Sequence, residues 1–295
     1  MGGAHLQQSQ VYDSGATMNE EDAVAAIHHA GLAGINLIDT SPLYWDSESV
    51  VGRALVGRRD QFIISTKIGQ FQGYHDDTFD NTWRVLETSL QRLGCDQVDI
   101  LFLHSLQDDQ PWSSLLAPDK IVPALIRARD QRLARYLGVS GWRTEPLVEA
   151  MSSGIFDVAM SYYEYNLLRL DGLGVVGAAE RLGMGLINAG PLVGGLLNGD
   201  DPDQMEPRRR DRLRPGEAER IRHWRALCRE YDYPLPALNL RFSVGTAPFA
   251  STVIGMRNVA EVDAAVSAVA ESVPGELRAE VERWRAGAAG LKNPG

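Results

Sequence analysis

The sequence has 295 residues, 44% hydrophobic and 23% charged, which excludes a disordered chain, a collagen-like repeat and a disulfide-stapled miniprotein. Twenty-nine Lys and Arg against 39 Asp and Glu leave a formal charge of −10, so a general affinity for nucleic acid, which needs a basic surplus, is not expected. No uncharged apolar run approaches the roughly 18–20 residues of a membrane span, the start lacks a secretory layout, and Cys95 and Cys228 are too few for a disulfide framework or a ligand cluster. A cytoplasmic setting, no membrane and no metal are expected.

In chain order, a first strand has only Gly2–Leu6 to draw on and is expected to be short or truncated. Asn19–Gly31 reads as a helix, with Asn19 as its cap, acidic residues next, and Val24, Ile27 and Leu32 facing a core. Short Val/Ile/Leu-rich runs at Ile35–Asp39, Phe62–Thr66, Val98–Leu103, Tyr136–Ser140, Val158–Ser161, Gly185–Asn188 and Thr252–Ile254 read as strands buried on both faces. Helical patterns follow at Thr78–Leu93, Asp119–Gln131, Glu145–Ser152, Leu173–Leu182, Glu217–Tyr231, Pro236–Ser243 and Val259–Ser272, with Gly94, Gly154 and Gly183 at expected stops. The Pro- and Asp-rich stretch Asp200–Pro215, with its run Arg208-Arg209-Arg210, reads as a solvated loop in preference to a phosphate site. Glu276–Ala289 reads as an extra helix.

Strand-then-helix, repeated without a break in composition, predicts one α/β domain over residues 1–295. The length suits a (β/α)8 TIM barrel better than an open doubly wound sheet, with a short or truncated first strand and an extra C-terminal helix outside the barrel.

Barrel chemistry sits at the carboxyl ends of strands, where the sequence places Asp39, Lys67, His104 and Ser140, with Tyr44 five residues beyond Asp39. Each alone has a bland reading as a cap, a solvated cation or a hydrogen-bonded core residue. Together they form a set. A phenol with an ordinary pKa of about 10 exchanges protons poorly at neutral pH; an ammonium such as Lys67 favours its phenolate, and Asp39 keeps that ammonium charged. His104 can orient a carbonyl oxygen. This is machinery for moving a proton on or off a carbonyl or alcohol oxygen, and the matching hydride has to come from a cofactor.

No G-x-G-x-x-G follows an early strand and no P-loop is present to hold that cofactor. The glycine turns lie late in the chain, at Ala189-Gly190-Pro191-Leu192-Val193-Gly194-Gly195 and Ile254-Gly255-Met256-Arg257-Asn258, where such barrels commonly build a phosphate site.

From about Gly2 to Val266 the sequence resembles the aldo-keto reductase superfamily. The segment Ile38-Asp39-Thr40-Ser41-Pro42-Leu43-Tyr44 with Glu48 and Gly52-Arg53-Ala54-Leu55 looks like that family's Asp/Tyr segment, Ser65-Thr66-Lys67 like its lysine strand, and Leu90–Gly94 through Val98–His104 like its histidine strand. The resemblance implies Asp39, Tyr44, Lys67 and His104 as a catalytic tetrad, Tyr44 as general acid or base, and Ser140 as a partner of the nicotinamide carboxamide. The features are most like the branch containing L-galactose dehydrogenase and D-threo-aldose dehydrogenase.

Three positions depart from the family pattern: Gly141 where Asn is frequent, Tyr162 where Gln is usual, and Ala189 where a ring often stacks on the nicotinamide. Nicotinamide placement is therefore expected to use other contacts, with Tyr162 as the candidate. Gly190, Leu192, Gly255, Met256, Arg257 and Glu261 complete the expected cofactor residues. Glu261 stands where members that prefer NADP place basic residues, so NAD is the expected cofactor and NADP the alternative, with Arg257 near enough to offset the carboxylate. Trp45 and Trp112, with Phe71, Tyr74 and Trp142, are candidates to rim a pocket for a sugar or another small carbonyl substrate. The expected activity is sugar (aldose) dehydrogenase or aldehyde/ketone reductase. A Schiff-base lyase using Lys67, or a non-catalytic nucleotide-binding regulatory subunit, are the alternatives. The sequence does not set the oligomeric state.

Overall fold

Seven strands pair in parallel in strict sequence order: β1 (Leu37–Asp39), β2 (Ile63–Ile68), β3 (Val98–Leu103), β4 (Ala134–Gly141), β5 (Val158–Tyr162), β6 (Gly185–Ala189) and β7 (Ser251–Val253). They come from a computed structural model that describes residues 1–6, 19–69, 76–106, 111–245 and 249–290. Around them run α1 (Glu20–Leu32), α2 (Ser47–Ala54), α3 (Phe79–Leu93), α4 (Ile121–Asp130), α5 (Thr144–Met151), α6 (Leu173–Leu182), α7 (Pro207–Arg210), α8 (Glu217–Glu230), α9 (Leu235–Gly245), α10 (Val259–Ala270) and α11 (Gly275–Gly290).

The eighth position of the ring is a single residue. Gly2 bridges in parallel to both Asp39 and Gly255, its N–H donates to the Ile254 carbonyl at 2.7 Å, and Asp39 N–H donates to the Met1 carbonyl at 2.9 Å. The expected short first strand is thus reduced to one bridging residue, after which Gly3–His5 turns into a 3-10 helix. Close approach explains the two glycines: a Cβ on Gly2 would stand 3.0 Å from Val253 Cγ1, and one on Gly3 only 2.6 Å from Ser47 Oγ.

Alternation along the strands divides the apolar side chains into two layers. Leu37, Ile100, Phe102, Met160, Ile187, Ala189 and Val253 fill the interior of the barrel. The larger cluster, including Ile38, Ile64, Leu101, Leu137 and Ala159, packs outward against the helices. Local signals set several helix ends as expected: Asn19 accepts from Glu21 N–H at 3.0 Å, and Gly94 and Gly183 take left-handed φ values of 62° and 66° after α3 and α6. Helix α2 is not anticipated, because its buried face carries Ser47 and Glu48 beside Val50 and Val51 and so lacks a clean apolar stripe. The expected terminal helix is present as α11, with Leu277 and Val281 buried in the core and Arg220 of α8 over its Trp284 ring at 4.5 Å. Among the described residues no helix is long and apolar enough to cross a membrane, and no group of His, Cys, Asp and Glu could hold a metal ion.

Candidate active site

Asp39 ends β1 and is the register partner of Ser65 on β2. Residues two apart on a strand share a face, so Ser65 and Lys67 both reach the same carboxylate. Ser65 Oγ donates to Asp39 Oδ1 at 2.7 Å and Lys67 Nζ to Oδ2 at 2.5 Å, with a further bond from Nζ to the Thr40 carbonyl at 3.1 Å. The two charged side chains are only 3% and 5% exposed, so neither could be buried without the other. These acceptors suit an ammonium and oppose the free amine that a Schiff-base nucleophile requires.

Beyond Asp39 the chain makes two consecutive turns. Tyr44 N–H donates to the Ser41 carbonyl and Ser47 N–H to the Tyr44 carbonyl, each at 3.0 Å, and Trp45 takes φ 51° before α2 begins. The turns return the Tyr44 ring over the strand ends, with its centroid 5.0 Å from Lys67 Nζ and 5.9 Å from the perpendicular His104 ring.

His104 follows β3, its N–H bonded to the Ile68 carbonyl at 2.9 Å. Burial, reinforced by the Lys67 cation, holds its pKa well below the ordinary 6.5, so the imidazole is neutral. Its Nδ1 lies 3.3 Å from Ser41 Oγ, which already accepts the Leu43 N–H at 3.2 Å. With Ser41 Oγ as the donor to Nδ1, the ring proton of the neutral imidazole is on Nε2. Asp39, Tyr44, Lys67 and His104 are thus brought together.

The opposite side of the mouth is built by β4, β5 and β6. Ser140 Oγ accepts the Ser105 N–H at 3.1 Å, and Ser105 Oγ lies 2.6 Å from the Tyr162 hydroxyl. Tyr162 packs on the interior cluster at the end of β5, in line with Met160, and meets the Tyr163 ring edge-on at 5.4 Å. Tyr163 lies across Gly190, where a Cβ would stand 2.5 Å from Tyr163 Cε1.

After β6 the turn runs through Gly190, Val193, Gly194 and Gly195 with φ of 61°, 52°, 61° and 91°. Among the described residues the Leu192 and Gly194 N–H groups donate to nothing. Such a turn is a concavity suited to an anion. Two arginines close over it. Arg209 donates to the Gly195 carbonyl and pairs with Asp200 at 2.8 Å, while Arg212 Nη1 occupies the place a Gly194 Cβ would need. The expected solvated loop is corrected twice: Pro207–Arg210 form the short helix α7, on which Arg208 and Arg210 are exposed as expected, and Arg209 folds back onto the glycines. Arg212 was missed altogether; nothing local in the sequence announces a contact with Gly194.

After β7, Gly255 is bridged to Gly2, and Met256 is buried in the core, leaving only its backbone to a ligand. Arg257 and Glu261 are joined: Nε and Nη2 donate to Glu261 Oε1 at 2.9 and 2.6 Å, and the Arg257 N–H donates to Oε2 at 2.7 Å. Trp45 and Trp142 are 48% and 40% exposed. Trp112 is not brought to the tetrad: it packs at 5.8 Å on Phe156, which precedes β5 and so lies at the amino end of the strands. Phe71 and Tyr74 fall outside the described residues. The hydroxyl belt of Ser41, Ser65 and Ser105 was also missed, although Ser65 could have been found two residues before Lys67 on the same strand face.

The family model described as "Aldo/keto reductase family" matches residues 1–284. L-galactose dehydrogenase of Arabidopsis thaliana is 30% identical over 264 residues, covering 85% of this chain and 79% of that protein. D-threo-aldose 1-dehydrogenase of a Pseudomonas species is 27% identical over 301 residues, covering 91% and 89%. An aldo-keto reductase from Bacillus halodurans, solved in its holo form, superposes with a TM-score of 0.74 at 24% identity, over 96% of this chain and 90% of the other.

Proposed function

Because the chain belongs to the aldo-keto reductase family and is an oxidoreductase, we propose that Asp39, Tyr44, Lys67 and His104 move the proton of a nicotinamide-dependent carbonyl–alcohol interconversion. The observation that carries this reading is the buried Asp39–Lys67 pair beneath the Tyr44 ring, with a neutral His104 edge-on to it.

When bound, the nicotinamide supplies or takes the hydride. In reduction, Tyr44 gives its phenolic proton to the carbonyl oxygen, and the Lys67 ammonium stabilises the phenolate left behind. Asp39 holds Lys67 charged and in place. His104, neutral with its proton on Nε2, donates a hydrogen bond that orients the carbonyl oxygen. In oxidation the Tyr44 phenolate accepts the alcohol proton instead.

The residues present fit a dinucleotide. The unused Leu192 and Gly194 N–H groups, with Arg209 and Arg212 over the glycine turn, suit its phosphates. Ser140, Tyr162 and Gly190, on the wall facing the tetrad, are the residues that would hold the nicotinamide. Gly255, Met256 backbone, Arg257 and Glu261 are the residues for the adenosine end. There Arg257 is held by Glu261, so a 2′-phosphate would have to displace a carboxylate to gain the cation, which favours NAD over NADP.

A sugar-like substrate is supported by the names of the two dehydrogenases matched above and by the exposed Trp45 beside Tyr44. The test is a panel of aldoses, aldehydes and ketones followed at the reduced-nicotinamide absorbance with each cofactor. Aldose oxidation with NAD supports the reading, and no turnover of any carbonyl or alcohol with either cofactor sinks it.

A further inference from the structure

The segment after β5 and the loop before α8 are joined by a buried ionic network that the chemistry above does not use. Arg169 donates Nε to Glu217 Oε1 at 2.7 Å and Nη2 to Oε2 at 3.0 Å, and these side chains are 8% and 2% exposed. The same pair holds the intervening backbone: Arg169 Nη2 also donates to the Arg212 carbonyl at 3.4 Å, and Arg214 N–H donates to Glu217 Oε2 at 3.0 Å. Arg214 in turn makes two bonds to Glu164, at 2.9 and 2.6 Å. A guanidinium–carboxylate fork of this kind fixes direction as well as distance.

The glycine turn is referenced to the same segment by a second route. Buried Asn239 on α9 accepts the Leu167 N–H through Oδ1 and donates through Nδ2 to the Pro191 carbonyl, both at 3.0 Å. Residues 166–169 therefore locate Pro191 on one side and Arg212 on the other. Between them lies the contact of the Arg212 guanidinium with Gly194, and among the described residues that guanidinium has no carboxylate partner.

We propose that the Arg169–Glu217 pair is a positioning device that sets Arg212 over the Gly190–Gly195 turn in advance of a dinucleotide's arrival. Buried ion pairs seldom add stability over well-packed apolar residues, so a role in placing a neighbouring cation accounts for this one where stability alone does not. The inference rests on the reading of the turn as a phosphate site.

The test is a double-mutant cycle read by NADH binding, through fluorescence titration, and by steady-state kinetics. Glu217→Gln and Arg212→Ala should each weaken NADH binding about tenfold, raising KM for the cofactor while kcat at saturation is kept. The double variant should be no weaker than either single one, because Glu217 acts through Arg212. Additive losses, or Glu217→Gln binding NADH like the parent, overturn the proposal. Should Glu217→Gln not fold, hydrogen exchange on the unaltered protein decides. Amides of Arg212, Leu213, Arg214 and Glu217 already protected without nucleotide support pre-positioning, whereas protection that appears only with NADH overturns it. Absence of NADH and NADPH binding to the parent protein would instead refute the functional reading itself.

Discussion

The ammonium of Lys67 lies 5.0 Å from the centroid of the Tyr44 ring, although the two residues come from different strand–loop units. In the proposed function, a cation held there by a buried carboxylate stabilises the phenolate left when Tyr44 gives up its proton. Tyr44→Phe keeps the ring and removes the proton. Turnover should fall by about 10²–10⁴-fold, while titration with NADH shows unchanged affinity. Retained turnover would remove Tyr44 from proton transfer.

Lys67→Met strips a buried carboxylate of its counter-ion. Unfolding stability should drop by about 3–5 kcal/mol, and the pH at which alcohol oxidation sets in should rise. Adding Asp39→Asn should restore much of the stability and none of the activity. Denaturant melts and pH–rate profiles read the two effects separately, and an unchanged pH profile in Lys67→Met counts against the tuning of Tyr44.

His104 is neutral in the folded state with its pKa depressed, against an ordinary 6.5 when unfolded. Below that value the unfolded chain binds the extra proton, so the stability His104 contributes is complete above pH 6.5 and is lost as pH falls toward the folded pKa. The loss approaches about 1.4 kcal/mol per pH unit. In a His104→Gln variant the slope should be shallower by this amount, as measured by denaturation between mildly acidic and neutral pH. An equal slope in both proteins refutes the assignment.

Glu261→Gln removes the charge that holds Arg257. The kcat/KM ratio of NADP to NAD should rise about tenfold, because the guanidinium becomes available to a 2′-phosphate without displacing an anion. Equal ratios for parent and variant would discard the captive-arginine argument.

Gly190→Ala combines a residue at φ 61° with a Cβ set 2.5 Å from the Tyr163 ring. The backbone alone costs about 1–2 kcal/mol, and displacing Tyr163 should weaken nicotinamide binding as well. A variant as stable as the parent and binding NADH equally well would show that neither contact matters.

The strands and most helices were legible because their signals are local. Apolar runs, an Asn cap and left-handed glycines act within a few residues, and strand ends followed from them. The sequence therefore places Asp39, Lys67 and His104 at one mouth. Helix α2 was not legible, since Glu48 faces inward to Thr66 at 2.7 Å and its burial needs β2 to be in place. The course of Trp112 was equally hidden, because its packing depends on Phe156.

By itself the sequence determined the order of elements and the strand-end residues, which follow from short-range periodicity and spacing, and its motifs carried the family resemblance. Only the tertiary structure decided that Gly2 bridges the two ends of the ring, that Tyr162 pairs with Ser105, and that Arg169, Glu217 and Arg212 meet. These contacts join residues distant in the chain through side chains whose types are common everywhere on a protein surface. Such pairings carry no period and no motif; they exist because barrel closure brings separate loops to one rim and burial then obliges their charges and hydroxyls to find partners.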